Sequence, residues 1–219
     1  MHSPLDAPAH WETVYRQRGH AAAGPAGVSW YSPHLACSLD GITRWTAGDL
    51  RARILDVGTG ESTLADDLLA RGYPALTLLD LSATALVHLR TRLHTRFGPA
   101  ACSQLQWQTG DVTRLALPAA GFDLWHDRAV LHFLTDPLQR ANYVAQALRC
   151  VRPGGVLVVA TFAPDGPSQC SQLPVMRYSA DELARLFEPG FEPLASERDL
   201  HVTPGGAQQA FQYLFARRR

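Results

Sequence analysis

From residue 53 onward, short apolar runs of strand length alternate with amphipathic stretches of helical length, and no other feature narrows the possible folds so far. Such alternation is what repeated βα units on a parallel sheet require, because each strand must be followed by a helix that crosses back over the sheet. The strands are expected at 53–57, 75–79, 105–108, 122–126 and 156–161. Leu64, Leu68 and Leu69 mark the first intervening helix, and Leu86, Leu89, Leu93 and Phe97 the second, which Ser82 can cap. Pro137 opens a third, with Val144, Ala147, Leu148 and Val151 inward, and Pro153-Gly154-Gly155 is expected to stop it. Ser179 and Glu182 form a capping box for a fourth, carrying Leu183, Leu186 and Phe187. The tail breaks the rhythm. Residues 191–202, then Phe211, Tyr213 and Phe215 in alternation, read as two strands joined by a loop at 203–209 with no crossover helix. The expected architecture is therefore α/β and Rossmann-like, a seven-stranded mixed sheet of five parallel strands plus a C-terminal antiparallel hairpin.

Upstream, Trp11, Val14 and Tyr15 fall at helical spacing, followed by a Gly/Ala-rich stretch at 19–27 that reads as a flexible loop. Ser32-Pro33 is a helix-start signal for a segment with Leu35, Leu39, Ile42 and Trp45 on one face. At 219 residues one domain with a full core is expected: 1–50 a helical lid, 51–162 the cofactor-binding core, and 163–219 a substrate-side loop and hairpin.

No apolar run approaches the roughly 20 residues of a membrane-spanning helix, so a membrane protein is not expected. Twenty basic and 20 acidic residues give a formal net charge of zero, leaving no global field to attract nucleic acid or an anionic membrane. A small molecule or a protein is the expected partner. Cys37, Cys102, Cys150 and Cys170 lie far apart, with no C-x-x-C pair, which points to neither zinc nor a disulfide framework. Residues 1–10 show neither a basic segment nor a signal-peptide core, and together these features fit a cytoplasmic protein.

The chemistry begins at Leu55-Asp56-Val57-Gly58-Thr59-Gly60-Glu61-Ser62. Gly58 and Gly60 directly follow the first strand, where a ligand pressed against backbone leaves no room for a Cβ, and the helix that follows presents its N-terminal amides. Twenty residues after Gly60 the second strand ends in Asp80, a carboxylate able to accept both hydroxyls of a ribose. Turn and acid together indicate a nucleoside cofactor, and a nicotinamide dinucleotide competes with S-adenosylmethionine. Two residues decide between them. Thr63 stands where the dinucleotide fingerprint has its third small residue, and Asp56 would repel a pyrophosphate but suits the ammonium and sulfonium of S-adenosylmethionine.

Asp56-x-Gly58-x-Gly60, Asp80, Gly110-Asp111, Phe122-Asp123-Leu124 and Arg152-Pro153-Gly154-Gly155 resemble class I S-adenosylmethionine-dependent methyltransferases in order and spacing, over residues 50–162. The resemblance implies that Asp80 binds the ribose, that Asp111 receives the adenine amino group, and that Leu81 and Val112 sandwich the purine. Thr59 falls within the same binding turn. It departs from the family at Ser62, where many members carry a third glycine. His10-Trp11, Tyr15, Ser29-Trp30-Tyr31 and the run His126 to Phe133 resemble the subgroup of protein-lysine methyltransferases acting on citrate synthase and elongation factors, and their bacterial relatives.

His126, Asp127 and His132 follow the fourth strand, where the transferable methyl is expected, and are the candidate catalytic residues. The alternatives are structural: Asp127 can cap the turn that follows, and His132 can be a hydrogen-bonded core residue. No third ligand accompanies the histidines, so no metal site is expected. Trp30 and Tyr31 are either core aromatics or a lid whose faces attract a sulfonium. The expected reaction is in-line transfer of the methyl group to a small-molecule or protein side-chain acceptor, releasing S-adenosylhomocysteine. The rival readings are an NAD-dependent oxidoreductase and a non-catalytic S-adenosylmethionine-binding protein. A nucleic-acid acceptor is disfavoured by the neutral charge and by His126-Asp127-Arg128-Ala129 standing where amino-methylating nucleic-acid enzymes carry an Asn/Asp-Pro-Pro-aromatic motif.

Overall fold

Strands covered on both faces must be apolar throughout, and β1 (Ile54–Val57) is buried at all four positions, its one charged residue, Asp56, included. In the computed structural model, which describes residues 7–18, 24 and 27–219, β1 lies centrally between β2 (Leu76–Asp80) and β4 (Phe122–Arg128). β3 (Gln106–Thr109) flanks β2, and β5 (Val151–Phe162) flanks β4; these five strands are parallel. Beyond them β9 (Gln208–Arg218) pairs antiparallel with β5, and β8 (Phe191–Val202) with β9, giving the order β3-β2-β1-β4-β5-β9-β8. The mixed seven-stranded sheet is thus the one the periodicity predicts.

Alternate side chains of the strands feed two cores. On one face Ile54, Leu76, Leu78, Leu124 and Val158 pack against α2 (Ala36–Trp45), α3 (Leu64–Ala70) and α4 (Ala83–Cys102). On the other, Leu55, Val57, Leu79, Trp125 and Leu157 meet α5 (Pro137–Cys150) and α6 (Ala180–Phe187). Leu89 of α4 is fully buried, so Leu89→Ala would cost about 2–5 kcal/mol. α1 (Ala7–Arg18) packs on α4 near the C-terminal edge of the parallel strands.

The expected caps form: Ser82 Oγ accepts from the Ala85 amide, and Ser179 with Glu182 makes a full capping box. Three details differ. Ser32-Pro33 does not start α2, which begins at Ala36, because the Ser32 hydroxyl donates to the His34 carbonyl and its own carbonyl accepts from Thr63 Oγ1. Pro153-Gly154-Gly155 does not stop α5. That helix ends at Cys150, and the three residues lie in the first part of β5, where the pairing with β4 shifts register. The loop after β5 carries a small hairpin, β6 (Gln169–Cys170) with β7 (Leu173–Pro174), turned by Ser171 and Gln172 at positive φ. The expected loop at 19–27 lies largely outside the described residues.

Candidate functional site

β1 delivers the chain into a turn that only glycine can make. Gly58 and Gly60 have φ of 66° and 49°, and a Cβ on either would collide, with Val130 Cγ2 at 2.0 Å or with Tyr15 Oη at 2.1 Å. The turn is pinned from behind by Arg92 of α4, which donates to the carbonyls of Glu61 (2.9 Å) and Ser62 (2.5 Å) and pairs with Asp66 at 2.7 Å. Those bonds use the backbone at Ser62, so a side chain there does not disturb the turn.

Asp56 and His126 are neighbours across the β1–β4 ladder and point to the same face. His126 Nδ1 lies 2.7 Å from Asp56 Oδ1, its Nε2 lies 2.9 Å from Ser38 Oγ of α2, and Ser38 Oγ lies 3.0 Å from Tyr213 Oη of β9. All four residues are buried. A carboxylate only accepts, so Nδ1 donates to Asp56, while Nε2 and the Ser38 hydroxyl share the second hydrogen bond. Asp56 Oδ2, also buried, has no hydrogen-bond partner among the described residues.

Asp56 and His126 line a cleft together with Gly58, Thr59, Tyr15, Trp30, Tyr31 and Arg128. The side formed by α1 and the 29–31 segment is aromatic. Trp11 sits edge-on to Trp30 at 5.8 Å and to Phe133 at 4.9 Å, and Tyr15 edge-on to Trp30 at 6.1 Å.

Asp80 ends β2 on the same edge, but α1 covers it. Its Oδ2 accepts from the Gly60 amide and its Oδ1 from the Ser82 amide, both at 2.8 Å, and burial pushes its carboxyl up to about 6 against those bonds. Glu12 of α1 reaches over it: Ser82 Oγ donates at 2.7 Å and the Thr84 amide at 3.3 Å to Glu12 Oε2, while Thr84 Oγ1 donates to Oε1. These donors hold the Glu12 carboxyl down at about 2, the Thr84 hydroxyl acting most strongly. Gly60, Asp80, Leu81, Asp111 and Val112 do not line the open cleft. Asp111 follows β3, its Oδ1 accepting from the Thr113 amide and hydroxyl, and Val112 is buried beside it.

Two of the catalytic candidates lie away from the cleft lining. Asp127 is fully buried and caps the 3-10 turn Leu131–Phe133: it accepts from the amides of Val130 (2.7 Å) and Leu131 (2.9 Å) and from Tyr143 Oη (2.5 Å), which itself accepts from Trp125 Nε1. Burial raises its carboxyl to about 6. His132 is also fully buried, edge-on to Phe133 (4.4 Å) and tilted against Phe162 (4.7 Å), with neither ring nitrogen bonded among the described residues. Burial, helped by Arg128, lowers it to about 3, so it is neutral. It is a core residue, but not the hydrogen-bonded one that sequence allowed for. His126 alone of the three lines the cleft.

Sequence reasoning missed Ser38, Tyr213, Glu12 and Arg128. Arg128 alone had a legible signal, standing two residues after His126 and hence on the same face of β4. Among the described residues no group of three or more His, Cys, Asp or Glu could hold a metal ion.

Comparison with known proteins places this geometry. Residues 54–155 match the model of a methyltransferase domain. An uncharacterized methyltransferase of Mycobacterium tuberculosis is 37% identical over 109 residues, 50% of this chain and 50% of that protein. The chain spans about half the length of these first relatives. EEF1A lysine methyltransferase 2 of Danio rerio is 24% identical over 87% of this chain and 77% of its own. The solved 1,6-didemethyltoxoflavin-N1-methyltransferase of Burkholderia thailandensis, with 1,6-didemethyltoxoflavin and S-adenosylhomocysteine bound, superposes with a TM-score of 0.71 at 23% identity, covering 100% of this chain and 93% of that one. Likeness at that identity speaks for the fold, and over residues 54–155 the chain is similar to the methyltransferase-domain family, on a Rossmann-like sheet.

Proposed function

We propose that this protein transfers the methyl group of S-adenosylmethionine to a small-molecule or protein side-chain acceptor. The observation that carries the proposal is Asp56 Oδ2: a buried carboxylate oxygen, without a donor among the described residues, lining a cleft at the glycine turn. A buried acceptor left bare is costly, and an ammonium supplies the missing donor. Asp56, Gly58, Thr59, Trp30 and Tyr31 would hold the amino-acid end, and Gly60, Asp80, Leu81, Asp111 and Val112 the adenosine once α1 lifts. The sulfonium supplies an activated methyl, and the protein aligns the acceptor and excludes water.

The bases available bear on the acceptor. Asp127 and His132 are enclosed, and His126 has both ring nitrogens engaged. This favours a nucleophile that forms near neutral pH, a thiolate or an acidic heterocyclic nitrogen, over a lysine amine that must be deprotonated. The neutral charge favours a protein or small molecule over nucleic acid. No described helix is long and apolar enough to cross a membrane, and the four free thiols support a reducing, cytoplasmic setting.

Calorimetry with S-adenosylhomocysteine tests the reading. Wild type should bind, and Asp56→Asn, which keeps the shape and removes the charge, should weaken binding by about tenfold, the scale of one charge-assisted hydrogen bond. Binding of a nicotinamide dinucleotide instead would refute it in favour of an oxidoreductase. Binding without S-adenosylhomocysteine production across small thiols, heterocycles and peptide amines would leave a non-catalytic binding protein.

A further inference from the structure

Arg128 is an arginine without the company its neighbours in sequence keep. Asp123 is shared by Arg53 and Arg152, Asp66 by Arg92 and Arg96, and Asp165 pairs with Arg198. Arg128 is half-buried at the end of β4, its Nε is buried without a hydrogen-bond partner, and no carboxylate lies within ion-pair distance among the described residues. Desolvating a guanidinium with nothing to pair it costs free energy, so such groups are rare unless a ligand completes them. The side chain is nonetheless held in place: its guanidinium carbon lies 4.2 Å over the Phe211 ring. His132 and His201, both pushed toward neutrality by burial, and the Cys170 and Tyr213 side chains feel its charge without neutralising it.

Its location gives the charge a use. Arg128 lines the cleft, and it also lines a second pocket between His34–Ala36 and Asp199–Val202. On the cleft side it stands two residues beyond His126 on one face of β4, so a cation follows the bare Asp56 oxygen along the wall. That pattern, anion then cation, complements an amino-acid zwitterion. On the other side the same guanidinium faces a pocket whose single carboxylate, Asp199, makes no ion pair with it. One carboxylate opposite one guanidinium suits a singly charged ligand better than a phosphate.

We propose that Arg128 is a carboxylate receptor on the wall shared by the two pockets, taking the carboxylate of the donor's amino-acid end or that of the acceptor. The proposal rests on the methyl-donor reading above, and its test separates the two. Calorimetry compares wild type, Arg128→Met and Arg128→Lys with S-adenosylhomocysteine and with 5′-methylthioadenosine, which lacks the amino-acid end. The proteins saturated with S-adenosylhomocysteine are then titrated with benzoate and phenylacetate and with the corresponding neutral amides. If the donor is the source, Arg128→Met loses about tenfold in S-adenosylhomocysteine affinity, the loss of one charged hydrogen bond, and keeps methylthioadenosine within about twofold. If the acceptor is the source, S-adenosylhomocysteine binding holds, while wild type prefers the carboxylates by about tenfold and Arg128→Met loses that preference. Arg128→Lys retains part of either effect, and serves in place of Arg128→Met should that variant melt early. A folded Arg128→Met that changes neither measurement overturns the proposal. Wild type that binds neither nucleoside overturns the donor reading itself, and this proposal with it.

Discussion

His132 makes a sharp prediction because its burial sets both the sign and the size of a pH effect. In the unfolded chain it titrates near 6.5; in the folded protein burial and the Arg128 charge lower it to about 3. Between those values the unfolded state holds a proton that the folded state refuses, so the contribution to stability rises with pH. From pH 5 to pH 7 the gain from this one residue is about 2 kcal/mol, or about 4–8 °C in melting temperature for a chain of this size. His132→Phe keeps a ring between Phe133 and Phe162 and removes the proton site. Asp80 and Asp127, both raised to about 6, titrate in wild type and variant alike and cancel in the difference. Urea unfolding at pH 5, 6 and 7 should therefore show wild type losing about 2 kcal/mol relative to His132→Phe on acidification. A difference that stays flat across that range would refute the reasoning and mean that His132 ionises normally in the folded state. Loss of methyl transfer in His132→Phe, with S-adenosylhomocysteine binding and fold intact, would return the residue to catalysis.

The other candidate acid should behave as a structural residue too. Asp127→Ala strands two amides and the Tyr143 hydroxyl, and should cost about 3–5 kcal/mol by denaturant titration while the surviving folded protein binds S-adenosylhomocysteine like wild type. Glu12→Gln should loosen α1, making its opening, read by amide hydrogen exchange of residues 7–18, roughly fivefold more frequent, the effect of about 1 kcal/mol. Because the Glu12 carboxyl is held down at about 2, wild-type protection of α1 is complete above pH 4.5 and declines as the pH falls toward 2, whereas Glu12→Gln should show no such decline.

What could be read in sequence was local, and what could not was distant. The strand and helix pattern, the caps at Ser82 and Ser179 and the Gly58–Gly60 turn depend on residues within a few positions of each other, where periodicity and conformational preference act directly. The Asp56–His126–Ser38–Tyr213 relay joins residues 70, 88 and 175 positions apart, so nothing short of the sheet order could assemble it. Asp127 shows the same limit. A carboxylate at the end of a strand above a methyl-donor site looks catalytic, and only Tyr143 and Trp125 behind it show that it closes a buried network.

The position of α1 connects these observations to how the proposed site would be entered. The cleft at Asp56 and Gly58, proposed above for the amino-acid end, is open, while Asp80 lies beneath α1, with Tyr15 Oη against Gly60 and Glu12 bonded to Ser82. A nucleoside reaching Asp80 must displace Tyr15 and break the Glu12 contacts, so binding of the adenosine half is coupled to an α1 movement that the amino-acid half does not need. Trp11 and Trp30 connect that movement to Phe133, directly after His132, and so to the turn that Asp127 caps. Asp127 thus holds the turn on which α1 rests through Trp11 and Phe133, a role that needs no base.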